Sequence, residues 1–336
     1  MVQILLAIIY VSFISLGLPD ALLGSAWPSM YREMSVPVSW AGILSLIISL
    51  GTIISSLQSD RLTRKLGAGM VTAISVAMTA AALFGFSISG SFPALCLWAI
   101  PYGLGAGSVD AALSNYVALH YTSRDMSWLH CMWGVGTIVG PYVMGYALTN
   151  GMTWNRGYLI ISLLQVVLSA ALFLSLPIWK KMEKSMEASV SEEGEAARKA
   201  LTLKEIIRIP GAKEIMVTFF CYCAVEQTSM LWGSSYMVLH NGLTAEEAAS
   251  YASLFCIGIT VGRFFNGFLM MRFTDNQMIS AGQAVTIVGI VILLLPFGKV
   301  TAVGALILIG RECALVYPCT THSTHANCGP ESLQHL

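Results

Sequence analysis

Residues 38–88 read VSWAGILSLIISLGTIISSLQSDRLTRKLGAGMVTAISVAMTAAALFGFSI. Two apolar runs, 38–58 and 67–88, flank a short charged segment. Each run has roughly the 20 residues that an α-helix needs to cross the hydrocarbon core of a bilayer. The stretch therefore predicts two transmembrane helices joined by a short charged loop.

The rest of the chain repeats this pattern. Its 336 residues are 56% hydrophobic and 11% charged with no formal net charge, and its mean hydropathy is +0.71. A water-facing shell cannot be built from so few charged residues, so we expect an all-α polytopic membrane protein. Apolar runs between polar breaks predict ten spans, at 3–27, 38–58, 67–88, 93–118, 127–149, 157–179, 212–239, 248–271, 277–297 and 301–321.

Basic residues are distributed unevenly between the two sets of predicted loops. If the N-terminus lies inside, thirteen Lys and Arg residues fall in inside loops, and only Arg32, Arg156 and Lys299 fall outside. Lys and Arg resist translocation and accumulate on the cytoplasmic side. This asymmetry predicts a plasma-membrane protein, of the bacterial inner-membrane kind, with a cytoplasmic N-terminus. The remaining two basic residues, Arg263 and Arg311, fall within predicted spans.

A polar linker at 180–211 separates six predicted spans from four. Segments 51–67 and 258–275 both pass from an apolar, small-residue helix into a short Arg-containing loop, which indicates an internal repeat. Secondary transporters use two such bundles, with the solute site between them. We expect a six-helix bundle at 1–179, a four-helix bundle at 212–323 that lacks its last two helices, and a tail at 324–336.

The first span contains a carboxylate, Asp20. A carboxylate inside an apolar span is costly unless it faces a cavity, pairs with a cation or takes up a proton. Its helix face also carries aromatic and small residues, Phe13, Gly17, Gly24 and Trp27. Such a stripe could bind the hydroxyls and CH faces of a sugar. Alternatively, the glycines allow another helix to pack closely, and Asp20 caps a kink at Pro19.

Two further acids lie in predicted spans. Asp110 in the fourth span is followed one turn later by Ser114, with Asn115 beside it. Glu226 in the seventh span follows Tyr222 by one turn. Three intramembrane acids on three helices exceed structural need, so we expect at least one to couple proton exchange to solute binding.

The fifth span places His130 and Trp133 on one helix face, together with Thr137. A histidine in a membrane helix either contacts the solute or donates a hydrogen bond between helices, and the spacing does not decide between them. Gly136, Gly140 and the adjacent proline further along this span favour tight packing or a kink.

The segment between the second and third spans carries Asp60, Arg61 and Arg64. Arg263 occupies the matching place in the repeat, near the end of the eighth span. We expect these four residues to form structural ion pairs that act in gating rather than in solute contact.

These residues resemble the major facilitator superfamily. The segment 59–67, SDRLTRKLG, is similar to the superfamily's loop between its second and third helices, although Thr63 stands where the family has glycine. Resemblance to the fucose-permease-like sugar transporters is carried by Gly17-Leu18-Pro19-Asp20, by Gly103-Leu104-Gly105 followed by Asp110, and by Tyr222 followed by Glu226. It implies alternating access, a sugar as solute and H+ as coupling ion. Twelve-helix relatives would continue through two more spans.

Several functions are not expected. The sequence contains no GxSxG, HExxH or P-loop motif and no CxxC pair, so we expect no enzyme, cofactor or metal site. It also lacks a basic patch with interleaved aromatic residues, which argues against nucleic acid. A drug-type efflux carrier remains an alternative, as does a non-transporting sensor or inactive carrier fragment, because no apolar run follows residue 321.

Overall fold

The computed structural model describes residues 2–121, 123–190, 211–269, 272–295, 298–311 and 313. These residues form long helices with short connections, and no strand occurs among them. A helix satisfies its own backbone hydrogen bonds, which a bilayer cannot do for it. The helices are α1 (Val2–Asp20), α2 (Leu22–Glu33), α3 (Ala41–Leu66), α4 (Ala68–Ile88), α5 (Phe92–His120), α6 (Ser123–Thr149), α7 (Trp154–Val190), α8 (Ala212–His240), α9 (Ala245–Leu269), α10 (Asp275–Leu294) and α11 (299–311).

The predicted all-α membrane fold is confirmed. Eight helical stretches within the described part of the chain are long and apolar enough to cross a membrane. The predicted seventh span corresponds to α8, which has 29 residues but is more polar, with Lys213, Glu214 and Glu226 along it. The predicted tenth span begins as α11, and its second half lies outside the described residues.

The first predicted span is two helices rather than one. α1 ends at Asp20, Ala21 forms a turn, and α2 begins at Leu22. Pro19 explains the break, because proline has no backbone N–H and its ring clashes with the carbonyl four residues earlier. Asp20 therefore lies at an interruption in the helix, within the span.

Two helices extend beyond the apolar runs that predicted them. α3 continues to Leu66, so the predicted loop at 59–67 is mostly helical, and the helix ends at Gly67, which has a φ of +81°. Residues such as Gln, Arg, Leu and Lys favour helix, whether or not they lie in a membrane. α7 likewise continues to Val190, so the predicted linker begins as helix. Residues 191–210 of that linker lie outside the described residues.

The chain divides into two compact units. The first contains Met1–Ser189 together with Leu231–Ser253, and the second contains Val190–Met230 together with Leu254–Leu336. The first unit has two apolar cores, one around Trp27, Phe86 and Trp154 and another around Phe13 and Trp179. The predicted domain boundaries at 179 and 212 remain a prediction.

Glycine and serine residues bring neighbouring helices of the first unit together. A methyl group on Gly103 or Gly107 of α5 would overlap backbone carbonyl oxygens of α3. The Ser55 and Ser108 hydroxyls of the same two helices hydrogen-bond each other. Where side chains are this small, helix backbones can approach closely, as is typical of helix pairs in membranes.

Candidate functional site

Asp20 is held by the indole of Trp133. The Trp133 Nε1 on α6 donates a hydrogen bond of 2.6 Å to Asp20 Oδ2 at the end of α1. Both side chains are half-buried. Two residues that the sequence placed on separate spans as site candidates are therefore in direct contact, through a donor that carries no charge.

This contact depends on close packing of α1 against α6. A methyl group on Gly17 would overlap the Trp133 carbonyl oxygen, and one on Gly136 or Gly140 would overlap the carbonyl oxygen of Ile14 or Leu18. The packing interpretation of these glycines is therefore correct. The predicted solute-binding stripe of the first span is directed largely at α6.

Trp27 requires a correction. The sequence places it with Asp20 on a solute-facing stripe, but its side chain has no exposed surface. Its Nε1 donates a 2.8 Å hydrogen bond to the Val38 carbonyl, and its ring packs edge-on against Phe92. Helical spacing identifies the face of a helix but not the neighbour that covers it. We therefore assign Trp27 to the apolar core.

His130 lies one turn before Trp133 on α6. Its ring is half-buried and packs edge-on against the buried ring of Phe13, with 5.8 Å between the ring centroids. Thr137, one turn after Trp133, is fully buried and donates to the Gly134 carbonyl. The accessible part of this face is thus formed by His130 and Trp133.

Asp110 is exposed although it lies within the predicted fourth span. The Ser114 hydroxyl, one turn later on α5, donates to Asp110 Oδ1 at 3.4 Å. Asn115 is exposed beside this pair. The hydroxyl of Ser114 thus occupies the place one turn after the acid, and an exposed carboxylate and amide within a span can both bind a solute hydroxyl.

In the second unit, Glu226 is paired with a cation. Arg263 Nη2 on α9 lies 3.8 Å from Glu226 Oε1 on α8 and donates a 3.4 Å hydrogen bond to the Tyr222 hydroxyl. Glu226 is 6% exposed and Tyr222 is 7% exposed. The sequence predicts a structural, gate-related ion pair for Arg263. The structure pairs Arg263 with Glu226 and brings it to Tyr222, and a gating role remains a prediction.

The charged residues at the end of α3 lie at the surface. Arg64 forms an ion pair with Asp60 one turn earlier, and about two thirds or more of each side chain is exposed, at 75% and 66%. Arg61 is exposed as well. The predicted ion pair is present here within one helix, and a gating role for it remains a prediction.

One polar residue of the site region was missed by the sequence reasoning. Gln165 on α7 is fully buried and exchanges hydrogen bonds with Ser15 of α1. Its signal is an isolated amide within the apolar run LLQVV. Since a buried amide must be hydrogen-bonded, such a residue implies a polar partner on a neighbouring helix.

Comparison with known proteins finds a family model that matches most of the chain, and two curated relatives. The Major Facilitator Superfamily model matches residues 9–334. "Bypass of stop codon protein 6" of Saccharomyces cerevisiae is 25% identical over 290 residues, which are 80% of this chain and 57% of the yeast protein. "Uncharacterized transporter y4wD" of Sinorhizobium fredii is 23% identical over 305 residues, 87% of this chain and 74% of that protein. The chain thus spans little more than half the length of the yeast relative.

Solved structures share the fold. A mutant of the nucleoside transporter NupG gives a TM-score of 0.73 at 14% identity, over 98% of this chain and 84% of that one. A bacterial homologue of the human lysosomal transporter Spinster, inward-facing and occupied, also gives 0.73, at 13% identity over 99% and 76%. The superfamily transporter FucP, in its outward conformation, gives 0.64 at 16% identity over 98% and 86%.

Proposed function

Since the chain belongs to the major facilitator superfamily, we propose that it is a secondary active transporter that carries a small polar solute, a sugar, by alternating access. Proton movement drives the transport. The observation that carries this proposal is the contact between Asp20 and Trp133, a carboxylate within a span to which a neutral group donates. An indole donor can stay in place whether the acid is charged or protonated, which suits an acid that takes up and releases a proton.

The solute-binding groups of the first unit are polar and aromatic. Asp20 and Asp110 supply carboxylate acceptors, Asn115 supplies an amide, and the half-buried rings of Trp133 and His130 supply apolar faces. Sugars present hydroxyls at their rims and CH groups on their faces, so acceptors beside aromatic rings suit them. Ser114 orients the Asp110 carboxylate through its hydrogen bond.

In the second unit, Tyr222 and Glu226 are the proposed solute-binding residues. Glu226 is balanced by Arg263, so we assign it to solute positioning and Asp20 or Asp110 to proton coupling. A change in the state of either coupling acid must then favour one conformation of the carrier over the other, because a ligand shifts an equilibrium only through its differential affinity.

The test is uptake by the purified 336-residue chain in proteoliposomes. A panel of labelled sugars and nucleosides is offered with and without an inward proton gradient. We expect gradient-driven accumulation of at least one sugar, and its loss in Asp20→Asn or Asp110→Asn without loss of membrane insertion. An acid that couples protons should, when replaced, still permit exchange of solute across the membrane.

Other results would redirect the proposal. Expulsion of cationic amphiphiles with no sugar uptake would assign the chain to drug-type efflux. Solute binding without any transport would favour the sensor or inactive-carrier alternative. Full accumulation in both Asn variants would show that the two carboxylates are structural.

We further propose that the N-terminus and the basic connections face the cytoplasm of a bacterial inner membrane. The thirteen basic residues of one loop set support this orientation. A single cysteine engineered at Ser191, in a background without the natural cysteines, should resist membrane-impermeant maleimide added to intact cells and react after lysis. Efficient labelling of intact cells would show that the linker faces the outside and that the orientation is opposite to the proposed one.

A further inference from the structure

At the break after α1, one backbone carbonyl lacks its usual hydrogen-bond donor within the helix. In a regular helix the carbonyl of Ser15 accepts a hydrogen bond from the N–H of residue 19. Residue 19 is proline, which has no N–H to donate. The Ser15 carbonyl lies inside an apolar span, so another polar group must replace the lost donor.

Gln165 of α7 donates to this same carbonyl. Its Nε2 hydrogen-bonds the Ser15 backbone oxygen, and its Oε1 accepts a hydrogen bond from the Ser15 hydroxyl. Gln165 has no exposed surface and Ser15 is 1% exposed. The amide is well suited to this place because it provides a donor and an acceptor together.

α1 is thus held from two sides just before Asp20. On the α6 side, Gly136 and Gly140 lie against the carbonyls of Ile14 and Leu18. On the α7 side, Gln165 binds Ser15. Asp20 follows Pro19 directly and is the last residue of α1, so the geometry of the break sets where its carboxylate meets Trp133.

We propose that Gln165 is a positioning residue for Asp20: it supplies the hydrogen bond that Pro19 cannot make and so fixes the break that presents the Asp20 carboxylate to Trp133. Its role in transport rests on the proposed function. Its role in shaping the break does not rest on the proposed function, and experiments can test the two roles separately.

The first test is a double-mutant cycle of Gln165→Leu and Pro19→Ala, read by thermal unfolding in detergent. Gln165→Leu leaves the Ser15 carbonyl without its donor and should lower the ratio of folded to unfolded protein about 5- to 150-fold, the range for an orphaned buried polar group. Pro19→Ala restores the N–H of residue 19, so Gln165→Leu should cost much less in that background.

A matched control lies one turn away on the same helix. Ser162 is equally buried and donates to the Ala80 carbonyl of α4, away from the break. Ser162→Ala should destabilise the protein equally in the wild-type background and in the Pro19→Ala background. If Gln165→Leu behaves in the same way as this control, the proposal that Gln165 replaces the donor missing at Pro19 is overturned.

The second test reads the position of Asp20 without transport. A hydrophobic carbodiimide reacts with protonated carboxyl groups, and its rate of addition to Asp20 is followed by mass spectrometry of the purified protein. Gln165→Leu should change this rate, whereas Ser162→Ala should not. An unchanged rate in a destabilised Gln165→Leu protein would overturn the positioning role.

Transport adds a third measurement. If the wild type accumulates a solute, Gln165→Leu should move the pH dependence of uptake, and Ser162→Ala should leave it in place. If the wild type transports nothing, the proposed function fails, but the cycle and the labelling still decide the role of Gln165.

Should Gln165→Leu not insert into the membrane, the double variant with Pro19→Ala is expected to insert, and failure of the double variant to insert would also overturn the proposal.

Discussion

Asp20 and Glu226 are both carboxylates within membrane spans, but they are held in different ways. A neutral indole donates to Asp20 at 2.6 Å, whereas a guanidinium lies 3.8 Å from Glu226. Removing a neutral donor weakens one hydrogen bond, whereas removing a buried cation leaves an uncompensated charge. The Glu226 pair therefore contributes to the stability of the second unit, whereas the contact between Asp20 and Trp133 can be broken at a lower cost.

The largest effect is expected from Arg263→Met. This change leaves Glu226 buried without its cation, which typically costs about 3–5 kcal/mol. The variant should unfold at a clearly lower temperature in detergent. The double variant Arg263→Met with Glu226→Leu removes both charges and should recover most of the loss. Equal instability of the single and double variants would contradict the ion pair's structural role.

A smaller effect is expected from Gly17→Ala. The added methyl group would overlap the Trp133 carbonyl oxygen, so α1 and α6 must separate. Overpacking of this kind costs about 1–3 kcal/mol, and it should also weaken uptake by moving Trp133 away from Asp20. Gly304→Ala is the matched control, because no atom lies within 4 Å of an added methyl group there. Similar unfolding curves for the two variants would contradict the packing argument.

The smallest effect is expected from Arg64→Ala. The Asp60–Arg64 pair lies on the surface of one helix and is exposed to solvent. Exposed pairs contribute less than about 1 kcal/mol, so unfolding should be nearly unchanged. A loss of uptake without a loss of stability would support the predicted gating role, and a large loss of stability would show that the pair has partners beyond α3.

Hydropathy identified the spans because the length of an apolar run reports the thickness of the bilayer. Because an apolar run reports the thickness of the bilayer and not the length of the helix, the predicted spans ended before α3 and α7 do. A helix stops where capping and propensity stop it, and residues 58–66 favour helix although they are polar. An apolar run therefore marks where the membrane ends, not where the helix ends.

The candidate acids were also identified from sequence, since a carboxylate in an apolar run is conspicuous. The partners of these acids were not identified from sequence. Arg263 on α9 meets Glu226 on α8 through a contact between helices, and no local pattern encodes that contact. Trp27 was misplaced for a related reason, since its spacing from Asp20 is correct but its neighbours are the core residues around Phe92.

The glycine contacts between α1 and α6 have a mechanical consequence. Because backbone meets backbone at Gly17, Gly136 and Gly140, the two helices cannot slide past each other by one residue without steric overlap. These contacts fix the register between α1 and α6. The helical path of the first span is interrupted only after this contact, at Ala21 between Asp20 and Leu22, so any bending of the span is concentrated there.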